Sequence, residues 1–223
     1  MKIVLDSANV EKIKAGLEIY QVLGVTTNPT ILTKEKRDFF PLITEIREVI
    51  GDKDFHIQVT GSTCEEMVRE AGAITACVGK ETFIKVPTNE EGLKTIKTLK
   101  EKGYKVTATA IYQVSQGVMA GIAGADYVAP YYNRMCNEGI AAADSIRQMA
   151  SLFKEHNLGT KIIVASLKNA DQVLQSFAGG AYAVTTTPEL YREMVESALI
   201  TETVGRFKED WEALYGNKRI YEL

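Results

Sequence analysis

The stretch FIKVPTNEEGLKTIKTLKEKGYKVTAT, residues 83–109, contains a strand, a helix and a second strand, and it decides the fold class. Its two ends, Phe83 to Val86 and Lys105 to Thr109, are rich in aromatic and β-branched residues, which is typical of short buried strands. Between them an apolar stripe repeats near the helical period at Leu93, Ile96 and Leu99. Two strands joined by a helix lie parallel, because a crossover connection returns the second strand in the direction of the first.

The same alternation of β-rich runs and amphipathic segments continues along the whole chain. Six further runs bring the predicted strands to eight: Lys2 to Asp6, Gly24 to Thr27, His56 to Thr60, Asp126 to Ala129, Lys161 to Ser166 and Ala181 to Thr185. Eight such units favour closure into a single (β/α)8 TIM barrel, an α/β fold that occupies residues 1–223. A doubly wound open sheet is the competing arrangement, but its GxGxxG fingerprint is absent after the first strand.

Residues typical of helix ends flank several amphipathic segments. Three capping patterns predict helix starts: Ser62-x-x-Glu65, Thr88-x-x-Glu91 and Thr187-Pro188-Glu189. Three glycines are typical of helix ends: Gly51, Gly79 and Gly103.

One more helix is predicted after the eighth unit, over residues 201–214. Its apolar stripe consists of Val204, Phe207, Trp211 and Leu214. Such a stripe needs a surface to cover, and the sequence leaves two alternatives open. The helix either closes the bottom of its own barrel or docks on a neighbouring subunit.

Composition and charge argue against several classes of function. The net charge of -3 and pI of about 5.6 argue against a nucleic-acid partner. No apolar run approaches the roughly 20 residues of a membrane span, and the run before Asp6 is too short for a signal peptide. The three cysteines form no CxxC pattern, and His56 and His156 are too few for a metal cluster. We expect a cytoplasmic protein with no membrane partner, no metal and no cofactor.

Polar residues end several predicted strands, and barrel enzymes carry their chemistry at those ends. They are Asp6, Thr27 with Asn28, Gln58 with Thr60, Lys85, Thr107 with Thr109, and Ser166. Side chains alternate across a strand, so Lys85 points into the barrel if Ile84 and Val86 face the helices. Burial lowers the pKa of a lysine and raises its nucleophilic fraction. Lys85 is therefore a candidate for imine formation with a carbonyl substrate.

Each of these residues also has a purely structural interpretation. Lys85 could be a strand-end cation paired with a carboxylate, and Asp6 could cap a helix or hold a loop. The segment Thr26-Thr27-Asn28-Pro29 could be a plain turn, because Asn-Pro favours turns. His56 shares a face with Gln58, and we expect it to be a packed core residue.

Several motifs taken together resemble the small transaldolase family, most nearly its fructose-6-phosphate aldolase branch. They are Val4-Leu5-Asp6, Gly24-Val25-Thr26-Thr27-Asn28-Pro29, Ile84-Lys85-Val86-Pro87, Tyr127-Val128-Ala129-Pro130-Tyr131 with Asn133-Arg134, Gln113 to Gly117, Ala165-Ser166-Leu167-Lys168 and Lys208-Glu209-Asp210-Trp211. The likeness runs nearly from end to end of the chain. It implies sugar-phosphate substrates of the pentose phosphate type.

The resemblance implies a role for each matched residue. Lys85 corresponds to the Schiff-base lysine, Asp6 to the carboxylate that contacts sugar hydroxyls, and Asn28, preceded by Thr27, to a donor-side amide. The set that positions a catalytic water is matched by Gln58, Thr109 and Tyr131. Phosphate binding is matched by Arg134 and Ser166, with Lys168 adding charge.

The resemblance leaves three functions to weigh. The first is a class I aldolase that cleaves fructose 6-phosphate, or a close ketose, to dihydroxyacetone and glyceraldehyde 3-phosphate. Gln58 and Tyr131 favour it, because the transaldolase pattern that the resemblance implies has glutamate in place of Gln58 and phenylalanine in place of Tyr131. The alternative is a transaldolase that passes the dihydroxyacetone unit to another sugar phosphate. A noncatalytic sugar-phosphate-binding barrel is the third.

One segment departs from the family pattern. After Arg134 the family usually carries acidic residues, whereas this chain reads Met135-Cys136-Asn137-Glu138. The change affects expectations about the acceptor aldehyde and leaves Lys85 untouched. The resemblance also implies a homo-oligomer, a pentamer or decamer, with exchanged C-terminal helices.

Overall fold

Eight parallel strands close into a barrel whose hydrogen-bonded order follows the chain. The computed structural model describes all 223 residues. Its strands are β1 Lys2–Asp6, β2 Val22–Thr26, β3 Asp54–Gln58, β4 Phe83–Pro87, β5 Lys105–Ile111, β6 Tyr127–Pro130, β7 Lys161–Val164 and β8 Ala183–Thr186. The predicted (β/α)8 barrel is confirmed, and every predicted strand overlaps an observed one.

Helices fill each connection between strands and cover the outside of the barrel. They are α1 Val10–Ile19, α2 Pro29–Lys34, α3 Phe39–Ile50, α4 Cys64–Val78, α5 Glu90–Glu101, α6 Val114–Ile122, α7 Tyr132–Asn137, α8 Ala142–Glu155, α9 Ala170–Ala178, α10 Pro188–Glu193 and α11 Ala198–Tyr215. A short 3-10 turn, Ile220–Glu222, ends the chain. None of the helices combines the length and the apolar character that crossing a membrane requires.

Two of the three predicted helix starts are shifted by one residue. The capping box of α4 is formed by Thr63 and Glu66. The cap of α5 is Asn89, whose Oδ1 accepts from the Gly92 amide at 2.8 Å, because the Thr88 hydroxyl is engaged with the Thr109 carbonyl at 3.0 Å. Thr187 caps α10 as predicted.

The predicted helix ends agree more closely with the structure. Gly51 and Gly79 are the C-caps of α3 and α4. Gly103, with φ of 79°, directly follows the C-cap of α5. A positive φ costs glycine little, which explains its place at these ends.

Strand alternation separates two apolar cores. Ile84 and Val86 belong to the larger core of 42 buried residues between the sheet and the helices. Six inward residues form the core inside the barrel: Val4, Phe83, Tyr127, Ala129, Ile163 and Ala183. Since Lys85 lies between Ile84 and Val86, it points inward as predicted.

The C-terminal helix α11 is longer than predicted and stands apart from the barrel. No residue of α11 is buried, and the exposed fractions of Phe207 and Leu214 are 67% and 74%. The apolar stripe therefore does not close the bottom of its own barrel. Trp211 bonds locally, since its Nε1 donates to the Lys218 carbonyl at 2.8 Å.

Candidate active site

Lys85 lies at the C-terminal end of β4 with its amine enclosed by the barrel. The residue is only 6% exposed, and Nζ donates to the Thr27 carbonyl at 2.6 Å. No carboxylate lies within ion-pair distance of this amine. Removal from water lowers the pKa of Lys85, and the charge of Asp6 opposes that effect. The structural interpretation of Lys85 as a solvated or ion-paired cation does not fit these contacts.

Asp6 ends β1 and shares the same cavity. Its Oδ1 accepts from the Thr26 hydroxyl at 2.7 Å. Burial raises the pKa of Asp6, while Lys85, the Thr26 hydroxyl and Lys168 act in the opposite direction. Asp6 caps no helix, because Asn9 is the cap of α1.

A pair of hydroxyls lies at the C-terminal ends of β5 and β6, the two strands that follow β4. Thr109 Oγ1 and the Tyr131 hydroxyl are 2.9 Å apart, and burial raises the pKa of Tyr131. Gln58 on β3 is in register with Lys85 on β4, and its Oε1 is buried without a hydrogen-bond partner. A buried acceptor without a partner is suited to holding a water molecule.

Three groups suited to phosphate lie on neighbouring segments at this mouth, the short helix α7 and the loop that follows β7. The Arg134 guanidinium on α7 stands 4.9 Å over the Tyr131 ring. The Asn133 backbone N–H donates to the Ser166 carbonyl at 2.9 Å, which joins the two segments. Ser166 has φ of 59°, a conformation that is uncommon outside glycine. Lys168 is exposed in the same segment as Ser166 and close enough to lower the pKa of Asp6.

Thr27 and Asn28 differ in part from the expected substrate contacts. The Thr27 hydroxyl is buried and donates to the His56 carbonyl at 3.3 Å, so only its backbone carbonyl reaches Lys85. Asn28 caps α2 through Oδ1, which accepts from the Ile31 amide at 3.0 Å. Its Nδ2 has no partner and is the group left for a ligand.

Thr26 and Thr185 line the barrel, although the sequence predicted neither as a site residue. Their hydroxyls are 2.6 Å apart. Val25 packs outward in the larger core, so strand alternation points Thr26 inward and Thr27 outward. The alternation of side chains, applied from Val25, would have predicted that Thr26 points into the barrel.

His56 is a packed core residue, as predicted. It is fully buried, stacks on Phe83 with ring centroids 4.6 Å apart, and its Nδ1 lies 2.8 Å from Thr107 Oγ1. Burial lowers the pKa of His56 to about 3. No group of three or more His, Cys, Asp or Glu side chains could hold a metal ion.

Comparison with known proteins gives a family and two groups of relatives. Residues 3–218 match the family described as Transaldolase/Fructose-6-phosphate aldolase. A probable fructose-6-phosphate aldolase from Streptococcus pneumoniae is 41% identical over 222 residues, which is 99% of this chain and 100% of that protein. A probable transaldolase from Thermoanaerobacter sp. is 35% identical over 211 residues, with 95% and 97% of the two chains covered.

A solved structure supports the fold alone. Thiamine phosphate pyrophosphorylase from Pyrococcus furiosus superposes with a TM-score of 0.60 over 83% of this chain and 85% of that one. Its sequence identity is 12%.

Proposed function

The chain belongs to the transaldolase/fructose-6-phosphate aldolase family of enzymes, and from that premise we propose that it is a class I aldolase. The proposed reaction is the reversible cleavage of fructose 6-phosphate, or a close ketose, to dihydroxyacetone and glyceraldehyde 3-phosphate. The single observation that carries the proposal is the Lys85 amine, which is buried at a strand end and paired with no carboxylate.

Lys85 forms the covalent intermediate in this mechanism. Its neutral amine attacks the ketose carbonyl, water leaves, and the imine takes up one proton from solvent to become the protonated imine. When the C3–C4 bond breaks, its electron pair moves into the imine and gives an enamine, while the C4 hydroxyl loses its proton and becomes the aldehyde. Asp6 assists that proton transfer, because it is the carboxylate in the same cavity.

Release of dihydroxyacetone requires a proton at C3 of the enamine. A water held by Gln58, Thr109 and Tyr131 supplies it, and the unpartnered Gln58 oxygen supports this assignment. A second water then hydrolyses the imine and frees Lys85. Glutamine, threonine and tyrosine side chains are uncharged at neutral pH, so the water that they hold can both donate and accept a proton.

Arg134, Ser166 and Lys168 bind the phosphate in this proposal. A guanidinium presents a fork of donors that matches phosphate oxygens, and the hydroxyl and ammonium add further donors. The three lie on adjacent segments at the barrel mouth, where the phosphate end of the substrate would project.

Transfer to a second sugar phosphate is the alternative, which the name of the Thermoanaerobacter relative favours. Gln58 and Tyr131 support the aldolase instead, because together with Thr109 they can hold the protonating water. The rate of fructose 6-phosphate consumption with and without erythrose 4-phosphate separates the two reactions. Consumption that requires the acceptor would contradict the aldolase proposal.

Borohydride trapping tests the covalent step directly. Incubation with fructose 6-phosphate and reductant should add the mass of a reduced dihydroxyacetone unit to the peptide that carries Lys85. The Lys85→Met variant is the control and should show no adduct. Active enzyme that acquires no adduct would refute the mechanism.

We further propose that the enzyme is a cytoplasmic homo-oligomer, a pentamer or decamer, that acts on sugar phosphates of the pentose phosphate type. The exposed apolar stripe of α11 supports association, because no residue of that helix is buried. Three free cysteines agree with a reducing compartment.

A further inference from the structure

Two buried hydroxyls connect to the Asp6 carboxylate from the strands on either side of β1. Thr26 on β2 is in register with Asp6, and Thr185 on β8 is in register with Val4, two residues earlier. Thr26 Oγ1 lies 2.7 Å from Asp6 Oδ1 and 2.6 Å from Thr185 Oγ1. The exposed fractions of Thr26 and Thr185 are 2% and 3%, so bulk water does not compete for either contact.

The number of protons fixes the direction of this chain when Asp6 is ionised. Each threonine hydroxyl carries one proton, and that of Thr26 is donated to the carboxylate. The contact between the two hydroxyls must therefore use the proton of Thr185. Thr185 has no other hydrogen-bond partner, and the chain runs from Thr185 through Thr26 to Asp6.

Protonation of Asp6 at Oδ1 would leave this chain with one proton too many, and protonation at Oδ2 would make Oδ1 a neutral and weaker acceptor for Thr26. If the carboxyl donated to Thr26, then Thr26 would donate to Thr185, and the Thr185 proton would have no acceptor in a buried place. An unsatisfied buried donor is costly. The arrangement therefore favours the carboxylate over the carboxylic acid.

On the basis of the proposed function, we propose that Thr185 is a positioning residue for the aldolase reaction. It is the terminal donor of a two-hydroxyl relay that keeps Asp6 ionised and oriented, ready to accept a proton from a substrate hydroxyl. Thr185 acts through Thr26 and does not touch the substrate.

Other groups also face Asp6 and contribute to its ionisation. Burial has the largest effect and raises the pKa of Asp6, while Lys85 from β4 and Lys168 from the loop before α9 favour the carboxylate. Burial raises the pKa of the Tyr131 and Tyr191 phenols, and the Asp6 carboxylate adds to that rise. The relay adds to the two lysines, so its removal should shift the titration of Asp6 without abolishing activity.

The test compares pH profiles of kcat/KM for fructose 6-phosphate cleavage in the wild type and three variants. Thr185→Val keeps the shape and removes the donor, and we expect its acid limb to move upward by about half a unit to one unit. Cleavage then falls roughly three- to tenfold at pH values below the limb and approaches the wild-type rate above it. Thr185→Ser restores the hydroxyl and should restore the profile.

Thr186→Val is the matched control, because Thr186 is the next residue of β8 and makes no side-chain hydrogen bond, and its profile should equal that of the wild type. Superimposable profiles for Thr185→Val and wild type would overturn the relay. A Thr185→Ser variant as impaired as Thr185→Val would also overturn it, because the cause would then be packing.

Two further measurements distinguish a failure of the relay from a variant that does not fold and from a failure of the aldolase mechanism. If circular dichroism shows that Thr185→Val does not fold, Thr185→Ala takes its place under the same criteria. Borohydride trapping on wild-type Lys85 separates the two proposals. A wild type that turns over with no adduct overturns the aldolase mechanism together with the relay, whereas an adduct with an unmoved Thr185 profile overturns the relay alone.

Discussion

Lysines at the two ends of the same barrel have opposite environments. At the N-terminal rim, Lys105 pairs with Glu81 at 2.5 Å and stands 5.2 Å from the Phe83 ring centroid. Lys161 is exposed and lies 4.6 Å over the Tyr182 ring. At the C-terminal mouth, Lys85 is enclosed, has no paired carboxylate, and donates to a neutral carbonyl.

The difference shows that the chemistry of a lysine side chain depends on whether it lies at the start or at the end of its strand. By strand alternation, Lys85, Lys105 and Lys161 all lie on the inward face of the sheet. At the rim, water, a carboxylate or aromatic faces surround the lysine ammonium groups. The mouth lysine loses solvation without equivalent compensation, and its pKa falls. The following predictions test this comparison, from the largest effect to the smallest.

Replacement of the mouth lysine should remove catalysis altogether. We expect Lys85→Met to lower kcat/KM by at least about four orders of magnitude, because no other amine can form the imine. The matched rim variant, Lys105→Met, should remain within about twofold of the wild type. Steady-state cleavage assays measure both. Comparable losses of kcat/KM in the two variants would show that the reactivity of a lysine does not depend on the end of the barrel at which it lies.

The carboxylate beside the mouth lysine should matter for proton transfer more than for imine formation. Asp6→Asn should lower kcat by about two orders of magnitude, the usual size of a general acid–base contribution. Reductive trapping of the Lys85 adduct should persist in this variant. Loss of trapping in a folded Asp6→Asn protein would instead assign Asp6 to the formation of the imine.

The side chains that are proposed to bind phosphate should affect substrate binding. Arg134→Ala should raise KM for fructose 6-phosphate about 10- to 100-fold with little change in kcat, because a charge-assisted contact is lost. Cleavage of unphosphorylated fructose should change little. Arg192→Ala, an exposed arginine on α10, is the control. An equal effect on both substrates would exclude Arg134 as a phosphate ligand.

The apolar stripe of α11 should affect assembly and have the smallest effect on turnover. Phe207→Glu should reduce the particle mass in multi-angle light scattering, since it places a charge in an apolar contact. Activity per subunit should stay within about threefold, because α11 contributes nothing to the cavity around Lys85. Arg206→Glu on the same helix is the control. An unchanged mass for Phe207→Glu would contradict docking through this stripe.

The barrel was predictable from the sequence because its two periodicities are strong. Period-2 alternation around Lys85 and the stripe at Leu93, Ile96 and Leu99 both depend on burial against the same outer core. Cap positions were less predictable, since neighbouring residues such as Thr88 and Asn89 can both cap. Their tertiary contacts, here the bond from Thr88 to Thr109, decide which one does.

The candidate site was predictable where a residue sits inside a regular strand and less so where a strand ends. Lys85 and Thr109 follow strict alternation, and both point inward. Thr27 lies one residue beyond β2, and its hydroxyl turns to the His56 carbonyl. The contact between Thr26 and Thr185 joins residues 159 positions apart, and no local pattern can reveal it.

An NMR titration of the Lys85 side-chain amine, assigned by comparison with Lys85→Met, tests the central claim most directly. We predict a midpoint clearly below the ordinary value of 10.5, because burial disfavours the charged form more than Asp6 favours it. A midpoint at or above 10.5 would show that the barrel does not hold this amine neutral and would contradict the account.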